Sequence, residues 1–187
     1  MLMRPFTRGF TVIELLIGIA VLGVLLGLGA PAFMVWMQNV QIRNAADSVL
    51  SGMQLARTEA IRRNKLVQFA LSTQSGWNIT IVTPSASDKV QVCPTSSNPC
   101  VIQKRTAKEG SAKVNVAAAP GGAYAVTFDA MGGPSDNADG SLPITSLDFT
   151  SQVSTSAPRP LRILVSTSGT IRLCDPSLPT GQARACS

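Results

Sequence analysis

The chain has 187 residues, of which 45% are hydrophobic and only 5% aromatic, and its formal net charge is +6. It contains no histidine, which excludes an ordinary Ser-His-Asp or Cys-His catalytic arrangement. The length allows one membrane helix and one domain with its own core, and the modest basic charge is weak evidence for binding a polyanion.

A short basic leader precedes a long apolar segment. Residues 1–9 include Arg4 and Arg8 but no acid, and the 28 residues from Leu15 to Ile42 carry no formal charge. As a helix this segment can cross a hydrocarbon core of about 30 Å, and the arginines predict a cytoplasmic N-terminus. Glu14 directly precedes these residues and lies at the outer end of the apolar stretch that begins at Phe10. On insertion scales an acid at the centre of a membrane helix costs roughly 2.5–3.5 kcal/mol, so Glu14 is a candidate functional residue.

The leader and the apolar segment meet in a motif that resembles the processing site of type IV prepilins and type II secretion pseudopilins, Gly9-Phe10-Thr11-Val12-Ile13-Glu14-Leu15. The resemblance implies that prepilin peptidase cuts between Gly9 and Phe10 and methylates Phe10. It also implies that Glu14 pairs with an N-terminal amine during filament assembly, and such a partner would make a buried acid tolerable. The alternatives are a glutamate at the interface of an ordinary signal anchor, or an unprocessed membrane-anchored binding module that keeps residues 1–9.

The helix is predicted to continue beyond the membrane. Apolar residues recur at three- and four-residue steps from Ile42 to Ile61, which predicts an amphipathic helix that ends at Asn64 and packs on a globular domain. Pro31 removes a backbone hydrogen bond and is predicted to kink the helix. The predicted segments are a leader over residues 1–9, a transmembrane helix over 10–35, its amphipathic extension over 36–64, and an exported β-rich domain over 65–187.

Short strands are predicted beyond residue 65, where β-branched residues alternate with polar ones. The predicted strands are Leu66–Ser72, Trp77–Thr83, Val90–Cys93, Val101–Thr106, Lys113–Ala117, Tyr124–Asp129, Ser146–Thr150, Leu161–Thr167 and Thr170–Cys174. Residues 135–142 are predicted to form an exposed loop. Its first six residues superficially resemble a calcium loop but lack the downstream glutamate, since Ser146 holds that place, so a plain turn is favoured.

Three motifs in the second half resemble the GspH/FimT-type pseudopilin domain. They are Leu66-Val67-Gln68-Phe69-Ala70-Leu71 before Gly76-Trp77, Val126-Thr127-Phe128-Asp129-Ala130-Met131-Gly132, and Ser168-Gly169-Thr170-Ile171-Arg172-Leu173-Cys174. The resemblance implies an α+β, pilin-like fold, in which a long N-terminal spine helix carries an antiparallel two-sheet, β-sandwich-like domain. Members of this family are not enzymes, and neither a cofactor nor a metal is expected.

Four cysteines lie in the part of the chain that is predicted to leave the cytoplasm, and an even number there favours disulfides. Of the three possible connectivities we favour Cys93 with Cys100 and Cys174 with Cys186. Zinc is the competing use, but the spacing contains no CxxC and the chain has no histidine.

The C-terminal region raises a second hypothesis, DNA binding. Some FimT-like minor pilins resemble DNA receptors whose tail carries a Gly-Arg-x-Arg motif. Here the corresponding residues run from Gly181 to Arg184, with Gln182 in place of the first arginine. Arg162, Arg172 and Arg184 could still supply phosphate contacts, and a basic surface that only aids solubility is the alternative.

The sequence therefore predicts a non-enzymatic minor pilin or pseudopilin in the tip or priming complex of a type IV pilus or a type II secretion pseudopilus. The predicted location is the inner membrane, with one pass, a cytoplasmic N-terminus and a periplasmic domain, and then the filament. The implied partners are prepilin peptidase, other pilins or pseudopilins and the inner-membrane assembly platform. The alternative is a pilus-tip DNA receptor for DNA uptake.

Overall fold

A computed structural model describes residues 10–84, 90–92, 100–153 and 158–186. Within these ranges the chain forms one long helix followed by ten strands. The elements are α1 (Val12–Arg63), β1 (Leu66–Leu71), β2 (Trp77–Pro84), β3 (Val90–Val92), β4 (Val101–Arg105), β5 (Val114–Ala119), β6 (Ala125–Phe128), β7 (Pro134–Ser135), β8 (Ser146–Ser151), β9 (Leu161–Val165) and β10 (Ile171–Cys174).

Side-chain and backbone caps define both ends of α1. Thr11 has an extended backbone, and its hydroxyl oxygen accepts a hydrogen bond from the N–H of Glu14. Asn64 adopts a left-handed conformation with φ 51°, and its N–H donates to the carbonyls of Ala60 and Ile61. The 52 residues between these caps extend roughly 78 Å at 1.5 Å per residue. The helix continues through position 31, and the kink at Pro31 stays a prediction.

The two halves of α1 differ in burial. The side chains described over residues 10–30 and 32–37 are exposed or half-buried, whereas one face is buried from Gln38 onward. The buried apolar residues of this face are Ile42, Ala45, Ala46, Val49, Met53, Ala56 and Ala60. The predicted amphipathic extension is therefore present, except that its last apolar residue, Ile61, remains 50% exposed.

The strands form two antiparallel sheets. In the first sheet the order is β3-β2-β1-β6-β7, with β4 also paired to β2, and in the second it is β10-β9-β8-β5. The predicted α+β fold with two antiparallel sheets is confirmed. All nine predicted strands are present with small shifts at their ends, and the two-residue β7 was not predicted.

The core lies between α1 and both sheets. Phe69 and Phe128 from the first sheet and Phe149 from the second are fully buried. Trp77 also packs on the helix, and its indole N–H donates to Ser48 Oγ at 3.0 Å. The two sheets are thus joined through a shared helix face.

The domain contacts α1 at two ends, called here the proximal end, near Gln38 and Asn39, and the distal end, near the last turns of the helix. At the proximal end, the hydroxyl of Ser151 donates to Gln38 Oε1 at 3.1 Å and the N–H of Arg159 donates to Asn39 Oδ1 at 2.8 Å. At the distal end, Arg57 Nε donates to the carbonyl of Gly132 at 2.9 Å. The loop after β4 and the tail after β10 lie at the proximal end, beside residues 37–44 of the helix.

Candidate assembly interface

The first half of α1 is an uncovered apolar rod. Residues Val12–Ala30 have a mean hydropathy of 2.5, and none of them is buried. The large apolar side chains from Val12 to Leu28 are each 53–77% exposed. This segment is long and apolar enough to cross a membrane, and so large an apolar surface is unstable in water unless lipid or other helices cover it.

Glu14 closes a capping box at the start of this rod. Its Oε2 accepts from the N–H and from the hydroxyl of Thr11, both at 3.0 Å, while its own N–H donates to Thr11 Oγ1 at 3.3 Å. The carboxylate is therefore folded back onto Thr11 at the start of the helix. The pairing of Glu14 with such an amine, and cleavage between Gly9 and Phe10, stay predictions.

An aromatic pair follows the apolar rod. The ring centroids of Phe33 and Trp36 lie 5.6 Å apart, and these side chains are 58% and 56% exposed. Exposed aromatic rings at the end of an apolar span are typical of the membrane–water interface. The sequence analysis did not single out this pair.

Two glycine turns meet at the distal end of the helix. Gly132 has φ +81°, and a Cβ there would lie 2.8 Å from Ile61 Cδ1 and 3.0 Å from Arg57 Nε. Gly169 has φ +76°, and a Cβ there would overlap the carbonyl oxygen of Gly132. Both positions therefore require glycine for conformation and for space. They belong to two of the motifs that carried the family resemblance, and the fold brings them into contact.

The predicted exposed loop over residues 135–142 differs from the structure in two ways, since Ser135 belongs to β7 and Asn137 is buried and fastened to the first sheet. Asn137 is buried, donates to the carbonyls of Ala125 and Ser141 at 3.1 Å, and accepts from Thr127 Oγ1 at 3.0 Å. Within the described residues no group of three or more Asp, Glu, Cys or His side chains could hold a metal. These contacts are those of a turn fastened to the sheet.

Asp139 completes this loop by accepting from the hydroxyl of Tyr124 and from Ser141. The hydrogen bond from Tyr124 lowers the pKa of Asp139, and the same bond raises the pKa of Tyr124. The carboxylate is thus already used inside the loop.

The candidate DNA-binding residues lie on and beside the second sheet. Arg162 forms a bidentate pair with Asp148 at 2.6 and 2.9 Å, and this hydrogen-bonded pair raises the pKa of the guanidinium. Arg172 is exposed on the neighbouring strand, diagonal to Arg162. Gly181 forms a turn with φ +97°, and Arg184 is exposed. The charge of Arg162 is thus already paired with Asp148, and DNA binding stays a prediction.

A disulfide closes the C-terminal tail. Cys174 is bonded to Cys186 with a Cα–Cα distance of 5.1 Å, which confirms this predicted pairing. The N–H of Asp175 donates to the carbonyl of Arg184 at 2.7 Å and fixes the same loop. The other predicted pairing cannot be placed, because Cys93 lies outside the described residues.

Two models of known protein families match this chain. A family model described as "Type II transport protein GspH" matches residues 45–184, and a model of the prokaryotic N-terminal methylation motif matches residues 4–30. The chain belongs to the GspH family. The GspH match begins within the second half of α1 and includes the strands of both sheets, whereas the methylation motif matches the start of α1; residues 31–44 lie between the two matches.

One curated protein and two solved structures are similar to parts of this chain. The pilin-like protein PilA1 of Thermus thermophilus is 40% identical over 67 residues, which are 36% of this chain and 42% of that protein. This chain thus spans less than half the length of that curated relative. Its fold is similar to the type IV minor pilin FimU of Pseudomonas aeruginosa (TM-score 0.50, 16% identity, 74% of this chain and 92% of that one). The minor pseudopilin EpsH of Vibrio cholerae gives a TM-score of 0.48 at 18% identity, over 74% of this chain and 99% of that one.

The GspH/FimT-type family that the sequence predicted is confirmed. The sequence analysis nevertheless missed the distal contact of Arg57 with Gly132 and the buried Asn137. The available signals were weak: an arginine near the end of a helix, and an asparagine in a loop rich in Asp, Asn and Gly. Both contacts join residues from distant parts of the fold, which spacing along the chain does not reveal.

Proposed function

We propose that this GspH-family chain is a non-enzymatic filament subunit that is first anchored in the inner membrane and then packed through α1 into a type IV pilus or a type II secretion pseudopilus. Prepilin peptidase would cut between Gly9 and Phe10 and methylate Phe10. Residues 10–35 would span the membrane, with the two-sheet domain in the periplasm. The observation that carries this proposal is that no residue from Val12 to Ala30 is buried, whereas the second half of the same helix packs in the core of the domain.

One helix suits both stages because its exposed half needs an apolar environment that either lipid or other helices can supply. Four glycines lie on this half, and a Cβ built on any of them would meet no atom within 4 Å. These glycines are Gly18, Gly23, Gly27 and Gly29. Small residues let neighbouring helices approach closely, so this surface is suited to packing in a bundle of like helices.

Glu14 would supply the register of that packing. The capping box holds its carboxylate at the first turn of the helix, and cleavage before Phe10 would create a cation that can neutralise it. A neighbouring subunit would thus be held at one axial position, where acid and amine meet.

The substitution Glu14→Gln separates charge from helix capping. Glutamine keeps an oxygen that can accept from Thr11, so the start of the helix and its membrane insertion should be retained. We expect the variant to be present in the membrane but absent from sheared filaments, as measured by immunoblotting both fractions. Asp47→Asn, which removes a carboxylate at an exposed position of the same helix, is the matched control and should assemble normally. Normal incorporation of Glu14→Gln would contradict the proposed role.

Mass spectrometry of the native protein tests the processing step. We expect the chain to begin with N-methylated Phe10, and Gly9→Val should leave residues 1–9 attached because cleavage follows the glycine. A native chain that begins at Met1 would overturn the proposal. Co-fractionation with pilus or with secretion components would then distinguish the two kinds of filament.

A further inference from the structure

A groove lies where the packed part of α1 begins. It has a volume of about 310 Å³ and lies between the helix and the loop that follows β4. The helix contributes Met37, Val40, Gln41 and Asn44, and the loop contributes Lys108 and residues 110–113. The wall formed by Met37 and Val40 is apolar, whereas the opposite wall carries the two lysines of the loop.

The lysines give this groove an uncompensated positive charge. Lys108 and Lys113 are exposed, and neither takes part in an ion pair among the residues that the structure describes. The acid between them, Glu109, accepts from the hydroxyl of Thr106 at 2.9 Å and lies 3.8 Å from Arg105 Nε. Glu109 is therefore engaged outside the groove, and the two ammonium groups remain to meet an anion.

Gln41 adds a second and independent signal. Its Oε1 is buried and accepts no hydrogen bond within the described part of the chain. A buried carbonyl oxygen without a donor costs about 1–3 kcal/mol, so such an atom in the wall of a groove indicates a missing donor. The ligand should therefore carry both an anionic group and a hydroxyl.

The position of the groove along α1 indicates where that ligand comes from. Phe33, Met37 and Gln41 are spaced four residues apart and lie on one stripe of the helix. The exposed pair Phe33 and Trp36 marks the interface, and Gln41 is five residues, or roughly 8 Å, beyond Trp36. The groove therefore opens at the level of lipid headgroups, and its apolar stripe continues into the transmembrane segment.

We propose that this groove binds the headgroup of an anionic phospholipid that carries a hydroxyl, of which phosphatidylglycerol is the simplest example. The lipid phosphate lies between Lys108 and Lys113, and one acyl chain follows Phe33 and Met37 along the helix. The half-buried side chain of Gln41 turns its Oε1 into the groove, where it accepts from the headgroup hydroxyl. This inference rests on the membrane anchoring that is proposed above. The bound lipid would hold the proximal end of the domain against the membrane until the subunit is withdrawn.

Trp36 offers a direct test, because it is exposed next to the groove whereas Trp77 is buried in the core. The full-length protein is reconstituted in vesicles of phosphatidylcholine with 20 mol% of either brominated phosphatidylglycerol or brominated phosphatidylcholine, and quenching of tryptophan emission is compared. Each lysine near an anionic surface contributes about a fivefold preference. We expect brominated phosphatidylglycerol to quench more strongly, and we expect Lys108→Gln with Lys113→Gln to abolish the difference.

The matched control removes two lysines elsewhere on the domain, Lys65→Gln with Lys104→Gln, and should keep the difference. Gln41→Met, which removes the acceptor but keeps the length of the side chain, should reduce it. Equal quenching by the two brominated lipids in the unaltered protein, or a preference that survives loss of Lys108 and Lys113, would overturn the inference. Absence of quenching by either lipid would instead contradict the membrane anchoring itself.

Discussion

Replacing Gly52 with alanine should destabilise the domain, although alanine is the better helix former. Gly52 lies in the buried face of α1, and a Cβ there would be 3.0 Å from Phe69 Cε2 and 3.0 Å from Trp77 Cε2. Neither ring can move away easily, because both are buried and their centroids are 5.8 Å apart. The indole N–H is also bonded to Ser48, which fixes the Trp77 ring further.

Two opposing terms set the size of the effect. Alanine in place of glycine within a helix gains about 1 kcal/mol, whereas overpacking a core costs about 1–3 kcal/mol. Because the added methyl group would press on two rings at once, the cost should lie in the upper part of this range. The expected net loss is about 1–2 kcal/mol, which corresponds to a fall in Tm of roughly 5 °C.

Thermal unfolding of the full-length protein in detergent, followed by near-UV circular dichroism, measures this loss. Gln54→Ala, at an exposed position of the same helix, is the control and should change Tm little. In a Trp77→Phe background the penalty of Gly52→Ala should shrink, because part of the crowded ring is gone. An unaltered or higher Tm for Gly52→Ala would show that the rings yield, and the packing argument would be wrong.

Three further predictions follow from the structure. Gly132→Ala should cost more than 2 kcal/mol in urea unfolding, since it combines a positive φ with a clash, whereas Gly140→Ala, with φ +76° and open space around it, should cost only about 1 kcal/mol. Hydrogen bonds from two arginines lower the pKa of Glu59 to about 2 from its usual 4.5. The contribution of Glu59 to the free energy of unfolding is therefore complete above pH 4.5 and is lost as the pH falls toward 2. The difference in this free energy between the unaltered protein and Glu59→Gln, about 0.2–1 kcal/mol at neutral pH, should vanish over that range. Replacing Cys174 and Cys186 together by alanine should lower the unfolding free energy by roughly 3 kcal/mol, because the bridge closes a short loop, and an unchanged urea midpoint would contradict this.

The sequence predicted elements well where a local pattern repeats. The three- and four-residue spacing from Ile42 gave the packed face of α1, and alternation gave nine strands. β7 has only two residues and exists because Pro134 pairs with Phe128, so no pattern could indicate it. The contact of Arg57 with Gly132 spans 75 positions, and only the folded sheets bring those residues together.

The features of the candidate site are likewise of two kinds, those given by a local sequence pattern and those that depend on the fold. The apolar segment and Glu14 are local features, so their roles could be predicted from the sequence, whereas Lys108 and Lys113 are ordinary loop residues until β4 and β5 place their loop against Gln41. The charge of a surface follows from composition, but its position relative to the membrane depends on the fold.

The junction between the two halves of α1 separates an apolar segment that the described domain does not cover from a face that packs in the core. The exposed and packed halves meet at Gln38 and Asn39, whose side chains bind Ser151 and the backbone of Arg159. These amides fasten the proximal end of the second sheet to the helix before the first buried apolar residue, Ile42. A shift of the domain along the helix would break the hydrogen bonds of Gln38 and Asn39 at the proximal end. It would also disrupt the apolar packing between Ile42 and Ala60. The position of the apolar rod along the helix axis is therefore fixed relative to the domain, in lipid and among neighbouring helices alike.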